Sequence, residues 1–506
     1  MTRSRDPLTP LETALRRRAI RRWTVAVVVV VMLLGLAALL AQRYASNRPV
    51  AYDDIEDHFK YGSIGSDIES GLPLRILEVL PRIFPDYLPA GGPKDYTAFG
   101  FIQEPGHRLP IGFSVRRRVI DLAGLNCAVC HVGQVSASVD AEPQTILGMP
   151  ANTVDLLAFF EFLAACAADN RFTADRIIAE MERDGNLFFV DKLIYRLAVP
   201  QLQAGLLKIN AQLNRYMFPV HPRFGPGRVD TFNPYKVNQF SEYYPPGSFS
   251  DDERIGTSDF PAIWNQGPRD GLNLHWDGNN SSVRERNFSA AFGAGATRDN
   301  VDSASFDRVT AWLIDLAPPP YPFGVTEDQS VLARGEALYR DRCFACHDFN
   351  GEWIGQVETI ESVRTDSHRL NSYTEKLAEI QLSYGDGYEW DFSHFHKTNG
   401  YANQPLDGIW ARAPYLHNGS VPTLFDLLTP ENERNGGRDF FYRGHGVYDP
   451  ENVGFRTDVE QVGGRNAFRY VISEPGNSNR GHSGRRYGTD LSDGDKRALI
   501  EYLKTL

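Results

Sequence analysis

The sequence predicts a mainly α-helical chain of two domains with long loops, preceded by one N-terminal transmembrane helix. Three observations carry that prediction: an uncharged run of 20 residues near the N-terminus, two copies of one Cys-x-x-Cys-His pattern 216 positions apart, and apolar residues at helical spacing with little strand-like alternation. At 506 residues the chain is too long for one small fold. Its 42% hydrophobic and 23% charged residues are ordinary for a globular protein and exclude a collagen-like, low-complexity or wholly disordered chain.

The N-terminal element comes first in the argument because it sets the compartment. Residues 1–22 hold seven arginines against Asp6 and Glu12, a net charge of +5, which leaves −16 of the chain's −11 total on everything that follows. An acidic body repels phosphate, so a nucleic-acid partner is not expected. From Trp23 to Gln42 the run of Val, Leu and Ala has the length that crosses a bilayer core as a helix. The arginines before it keep residues 1–22 in the cytoplasm and export the chain from about residue 43 by the positive-inside rule. A cleaved signal peptide is the alternative, with small residues between Ala38 and Ala45.

Four of the five cysteines form Cys127-Ala128-Val129-Cys130-His131 and Cys343-Phe344-Ala345-Cys346-His347. Each is a c-type haem attachment motif: two thiols at this spacing form thioethers to one porphyrin, and the next residue, His131 or His347, is held beneath the iron as proximal ligand. Two such motifs behind an export segment predict two covalent haems c in a single-pass protein of the bacterial inner membrane, with the haem domains in the periplasm. Cys166 lies in the apolar run 156–168 and reads as a buried small hydrophobe.

Each motif calls for its own helical frame. Before the second, Leu332, Gly335 and Tyr339 share a face, and Gly335 allows close approach of a partner helix. That partner is the last segment, opened by a capping pattern at Ser492 and Asp495 and continued by Leu499, Tyr502, Leu503 and Leu506. Phe306, Val309, Leu313 and Leu316 form a similar terminal helix of the first domain, stopped by Pro318-Pro319-Pro320. The predicted organisation is therefore a first haem domain over 43–317, a linker over 318–328 and a second haem domain over 329–506. Residues 173–216 read as a helical insertion in the first domain, interrupted at Gly185 and Pro200.

With both motifs placed, roughly residues 100–506 resemble the di-haem cytochrome c peroxidase superfamily. The likeness lies in Pro261-Ala262-Ile263-Trp264-Asn265, in Trp276-Asp277-Gly278, and in Ala413-Pro414-Tyr415-Leu416-His417-Asn418-Gly419. Leu125-Asn126, Arg284-Glu285-Arg286-Asn287 and the segment Gly476 to His482 are similar to the rubber-oxygenase-like branch of that superfamily. The resemblance implies a reactive first haem and an electron-transferring second one, with Trp276 packed between or beside them.

Departures from the peroxidase pattern carry as much weight. In those enzymes a glutamine and a glutamate follow Trp-Asp-Gly and handle the protons of peroxide. Here Arg286 and Ala296 stand at those positions. Glu285 either substitutes for the acid or forms a salt bridge with Arg284 or Arg286. Met149 either ligates the first iron or packs in the core, and the default is an open iron beneath an apolar wall to which Phe288, Phe292 and Trp276 contribute. The second domain contains no methionine, so histidine replaces the usual axial ligand; the resemblance selects His482, with His417 as runner-up.

The expected function is that of a haem-dependent oxidoreductase, oxygenase-like, taking O2 or peroxide as small-molecule oxidant and exchanging electrons with a redox protein or a quinone-linked chain. A peroxidase reducing hydrogen peroxide and a purely electron-transferring cytochrome are the alternatives.

Overall fold

The computed structural model describes residues 9–185, 187–216, 221–245 and 247–506. The first eight residues of the basic leader and Met217 lie outside them. Helix accounts for 43% of the structure, and its longer helices are α1 (Pro10–Tyr44), α2 (Leu74–Ile83), α3 (Leu156–Ala168), α4 (Ala174–Glu182), α5 (Phe189–Tyr216), α6 (Val283–Gly293), α7 (Ser303–Asp315), α8 (Gln329–Arg342), α9 (Glu375–Tyr384) and α10 (Asp493–Leu503). Strands are short, as the scarce alternation implies. The largest sheet has four, β1 (Arg48–Pro49), β2 (Leu72–Pro73), β3 (Phe113–Arg117) and β4 (Leu122–Leu125), in the order β1-β3-β4-β2 with antiparallel neighbours.

Within α1, Thr13–Ala38 is long and apolar enough to cross a membrane, and none of it is buried against the rest of the protein. The helix starts earlier than the uncharged run because arginine is a good helix former and the leader contains no breaker after Pro10. In α3, Cys166 is fully buried in the core with Phe159, Phe162 and Leu163. The 173–216 segment is helical, but Pro200 does not interrupt it. Tyr195 and Val199 before the proline and Leu202 and Leu206 after it lie on one inward stripe, so packing carries α5 through the missing hydrogen bond.

The crossing of α8 and α10 depends on Gly335. A Cβ there would lie 2.1 Å from the Ala498 carbonyl oxygen and 2.8 Å from the Tyr502 Cβ, and a backbone carbonyl has little room to retreat. Gly335→Ala is expected to lower stability by about 1–3 kcal/mol, the usual cost of overpacking, despite alanine's better helix propensity. A denaturant midpoint equal to or above that of the unchanged protein would contradict this packing. Ser492 caps α10 by accepting from the Asp495 N–H at 3.2 Å.

Residues 318–328 run packed against the second core. Pro319 O accepts from Trp410 Nε1 at 3.1 Å, and Tyr321 and Phe323 pack on Tyr448. Trp264 and Met149 of the first half share that core with Trp410 and Tyr415, which joins the two motif-bearing halves.

Candidate haem site

The first motif leaves β4 through Asn126, whose side chain ties it down three ways. The amide nitrogen donates to Lys60 O (3.2 Å) and Gly62 O (2.9 Å), and the amide oxygen accepts from Ala128 N (3.0 Å). Gly112, at φ +97°, allows this turn to lie against the main chain, since a Cβ there would fall 2.7 Å from Val129 Cα. The second motif follows α8 directly, with the His347 N–H on Cys343 O at 2.9 Å.

Each motif histidine is set in the same way. The Nδ1–H of His131 donates to Pro261 O at 2.9 Å, and that of His347 to Gln404 O at 2.7 Å. A carbonyl only accepts, so the proton sits on Nδ1 and the Nε2 lone pair is left for a metal. Burial lowers the pKa of both rings, His131 to about 4, which keeps them neutral and able to ligate. Burial also raises the thiols of Cys127, to about 11, and of Cys343, to about 12.

One cavity of about 1020 Å³ is lined by Cys130 and His131 and by Cys343, Cys346 and His347. His482 lines it too. Its ring centroid lies 6.3 Å from that of His347 with the planes at 51°. Two imidazoles holding one metal at bonds of about 2 Å have roughly this separation. Its Nδ1 is buried without a protein partner, and burial, with His347 adding, pulls its pKa down to about 3. The loop around it is pinned. Arg434 donates to Asn479 O and, at 3.0 Å, to His482 O, while Gly481 (φ +80°) lies so close to Val363 and Thr365 that a Cβ would strike their backbone. These residues fit a haem that His347 and His482 would hold.

His417 is placed differently. It stacks on Tyr401 with centroids 4.2 Å apart, and its Nε2 is 3.1 Å from the Tyr401 hydroxyl. That hydroxyl donates to Asp366 O at 2.7 Å, so His417 is the donor and its Nε2 is engaged.

On the side of the first motif, α6 turns a different face to the cavity from the one expected. Arg286, Ser289, Ala290 and Gly293 line it, at i, i+3, i+4 and i+7. Phe288 and Phe292 sit on the opposite stripe, buried against Phe306, Trp390 and Phe392, so the structure does not bring these rings to the cavity. Glu285 shares that inward stripe. It forms no salt bridge with Arg284 or Arg286; it binds His394 Nδ1 at 2.6 Å, the backbone N–H of Ser393 and of His394 at 3.0 Å each, and Asn280 at 3.2 Å. Burial opposes its charge, but these donors outweigh burial and hold its carboxyl below the usual range. Arg286 faces the cavity with its guanidinium on Asn287 Oδ1 at 3.0 Å, and burial together with Arg269 draws it down to about 10. Met149 is fully buried in the core and does not line the cavity.

Trp276 also lines the cavity and spans the two halves. Its Nε1 donates to Asp259 O at 3.0 Å, two residues from the carbonyl that holds His131, and its own carbonyl accepts from Ala402 N at 2.9 Å, two residues from the carbonyl that holds His347. Two further residues line the cavity that the sequence reading did not single out, although His275 directly precedes the Trp276-Asp277-Gly278 motif. His275 is held by Asn279 Oδ1 at 2.5 Å, and Glu69 is an exposed carboxylate beside Ser70, whose hydroxyl donates to Gly295 O at 2.8 Å. Glu69 arrives from a distant segment, so no spacing announces it, whereas the position of His275 beside Trp276 could have marked it.

Residues 400–436 match the family described as RoxA-like, cytochrome c-like. That stretch contains Gln404, which orients His347, the loop to His417, and Arg434, which pins the His482 loop. A cytochrome c-like domain implies covalently bound haem c with its iron. The chain is also similar to two uncharacterised proteins of Sinorhizobium fredii (strain NBRC 101917 / NGR234). The protein y4iM is 31% identical over 293 residues, 49% of this chain and 64% of that protein, so under two thirds of that relative's length is matched. The protein y4iJ is 27% identical over 536 aligned positions, covering 83% of this chain and 86% of the relative.

Proposed function

We propose that this chain is a membrane-anchored, periplasm-facing c-type cytochrome with two covalent haems, an oxidoreductase of the oxygenase-like kind in which the His131 haem is the open reactive site and the His347 haem the electron relay. The observation that carries this reading is the contrast between the motif histidines. Both spend Nδ1–H on a backbone carbonyl, yet only His347 faces a second buried imidazole. Among the described residues no ring is paired with His131 as His482 is with His347. Haem c supplies a redox iron that passes electrons when six-coordinate and binds a small ligand such as O2 when a position is open.

The chain's own groups have separate tasks. Cys127, Cys130, Cys343 and Cys346 attach the porphyrins. The ring of Trp276 occupies the wall between the supports of His131 and His347. Apolar residues of α3 and α5, such as Phe159, Leu163 and Leu206, exclude water from the wall of the first half. Glu285, held by His394 and two backbone amides, has no proton to give.

Alkaline pyridine haemochrome assays of the unchanged protein and of the Cys127→Ala/Cys130→Ala and Cys343→Ala/Cys346→Ala variants test the cofactor reading. Two haems per chain, falling to one in each variant, are expected. A ratio of one in the unchanged protein would overturn it. The protein should stay with the membrane fraction in high salt.

A peroxidase is the second reading, and Glu69 is what favours it. General acid–base help is worth about 10²- to 10⁴-fold in rate, so on the oxygenase-like reading, in which Glu69 does not serve the iron, peroxide turnover with a reduced small cytochrome as donor should be slow. Fast turnover abolished by Glu69→Gln and unaffected by Glu285→Gln would move the protein to the peroxidase class.

A further inference from the structure

The outer face of α5 is apolar where a surface helix is ordinarily polar. Its inward stripe contains Tyr195 and Val199, both buried. The opposite stripe, Phe189, Leu193, Leu197, Pro200, Ala204 and Leu207, runs at steps of three or four residues, and every member is exposed. Phe189 is 80% and Leu197 65% exposed. None of these six lines the cavity, so they face outward. A lone exposed leucine is ordinary, but an apolar stripe about five turns long marks a contact surface.

Charge and position indicate what covers it. α5 holds Lys192, Arg196, Lys208 and Arg215 against Asp191, a net +3 in a chain of −11. Lys192 and Arg196 pair with Glu182 and Asp175 of α4, which leaves Lys208 and Arg215 as the cations of α5 that these bridges do not compensate. Residues 45–47 alone separate α1 from β1, so the four steps from Tyr44 to Arg48 reach about 14 Å at most. Arg48 of β1 pairs with Arg117 at the end of β3. The following turn reaches Asp121, whose carbonyl accepts from Leu74 N at 2.8 Å, and the adjoining Arg75 donates to Met181 O of α4 at 3.0 Å, just ahead of α5. A run of contacts thus connects the exit of α1 through β1, β3 and α2 to the end of α4, which leads into α5.

We propose that α5 is a second membrane contact: its outer stripe lies in the headgroup region of the leaflet beside α1, an anionic phospholipid surface, in the manner of an interfacial helix. The proposal rests on reading α1 as an anchor. Because Leu202 and Leu206 on the inner side line the cavity, the same helix joins the leaflet to the cavity wall.

The test uses the full-length holoprotein in vesicles of phosphatidylglycerol and phosphatidylethanolamine, with a nitroxide on Leu197→Cys, on Val28→Cys within α1, or on Glu336→Cys of α8, whose side chain is half-exposed. An unchanged haem spectrum verifies the fold of each variant. Relaxation by a water-soluble nickel chelate should be lost at Leu197→Cys and Val28→Cys, retained at Glu336→Cys, and relaxation by O2 should persist at the first two. Nickel access at Leu197→Cys with Val28→Cys shielded would overturn the α5 contact and leave the anchor standing. Access at both would overturn the anchor and the proposal together. Dipolar broadening at Leu197→Cys that unlabelled protein dilutes away would make the stripe a contact between two copies, and would overturn the membrane assignment.

Discussion

His482→Ala is expected to convert the second haem from low spin to high spin, with imidazole added to the solution partly restoring the original spectrum. The expectation rests on three features of the site. His482 faces His347 at a centroid separation of 6.3 Å, its loop is fixed by Arg434 and by the close approach of Gly481 to Val363, and the second domain has no methionine to move in. The other imidazole nearby, His417, is bound through Nε2 to Tyr401 and would have to break that bond to replace it. On the proposed reading of two haems, half of the Soret intensity should shift, because a haem held by His131 would be untouched. An unaltered spectrum in His482→Ala, with conversion in His417→Ala, would transfer the ligand to the loop that begins at Ala413. Arg434→Gln should weaken the low-spin signal without abolishing it, since it loosens the loop and leaves the ligand.

Arg443→Met is expected to cost about 3–5 kcal/mol of stability, the range for stranding one partner of a buried ion pair. Arg443 donates to both carboxylate oxygens of Asp259, at 3.1 and 3.0 Å, and to Gly419 O at 3.2 Å, and both side chains are buried. Among the described residues, Arg228, 3.5 Å away, would be left to face the carboxylate. Because the Asp259 carbonyl receives Trp276 Nε1, the loss should also disturb the wall between the two motifs. Asp259→Leu combined with Arg443→Met should be less destabilising than Arg443→Met alone, since it removes the stranded charge. Equal or greater loss in the double variant would show that packing, not charge, holds this junction.

The parts of the site that were legible in the sequence are those whose chemistry is local. Thioether attachment needs two cysteines and a histidine within five positions, a membrane helix needs one uninterrupted run, and the crossing of α8 and α10 was signalled by a glycine on an apolar face. His482, which the structure sets opposite His347, was singled out by the lack of methionine together with the resemblance. Phase and long-range partners were not legible. Which stripe of α6 faces the cavity depends on how the helix is rotated, and the bulky side chains that suggested a distal wall are the ones that the core with Trp390 takes up. Glu285 meets His394 from 109 positions away. The continuity of α5 through Pro200 is a tertiary effect, since only the inward stripe on both sides of the proline outweighs the missing hydrogen bond. Glu69 reaches the cavity wall from a segment that no motif marks.

Titration of the dithionite-reduced protein with carbon monoxide, read as the fraction of total haem c that shifts its Soret band, tests the central claim most directly. With an open iron above His131 and a closed pair at His347 and His482, one of two haems should bind, and binding should vanish in Cys127→Ala/Cys130→Ala while persisting in Cys343→Ala/Cys346→Ala. Carbon monoxide binding to neither haem would contradict the reactive site and leave an electron-transfer cytochrome, and binding to both would contradict the ligation by His482.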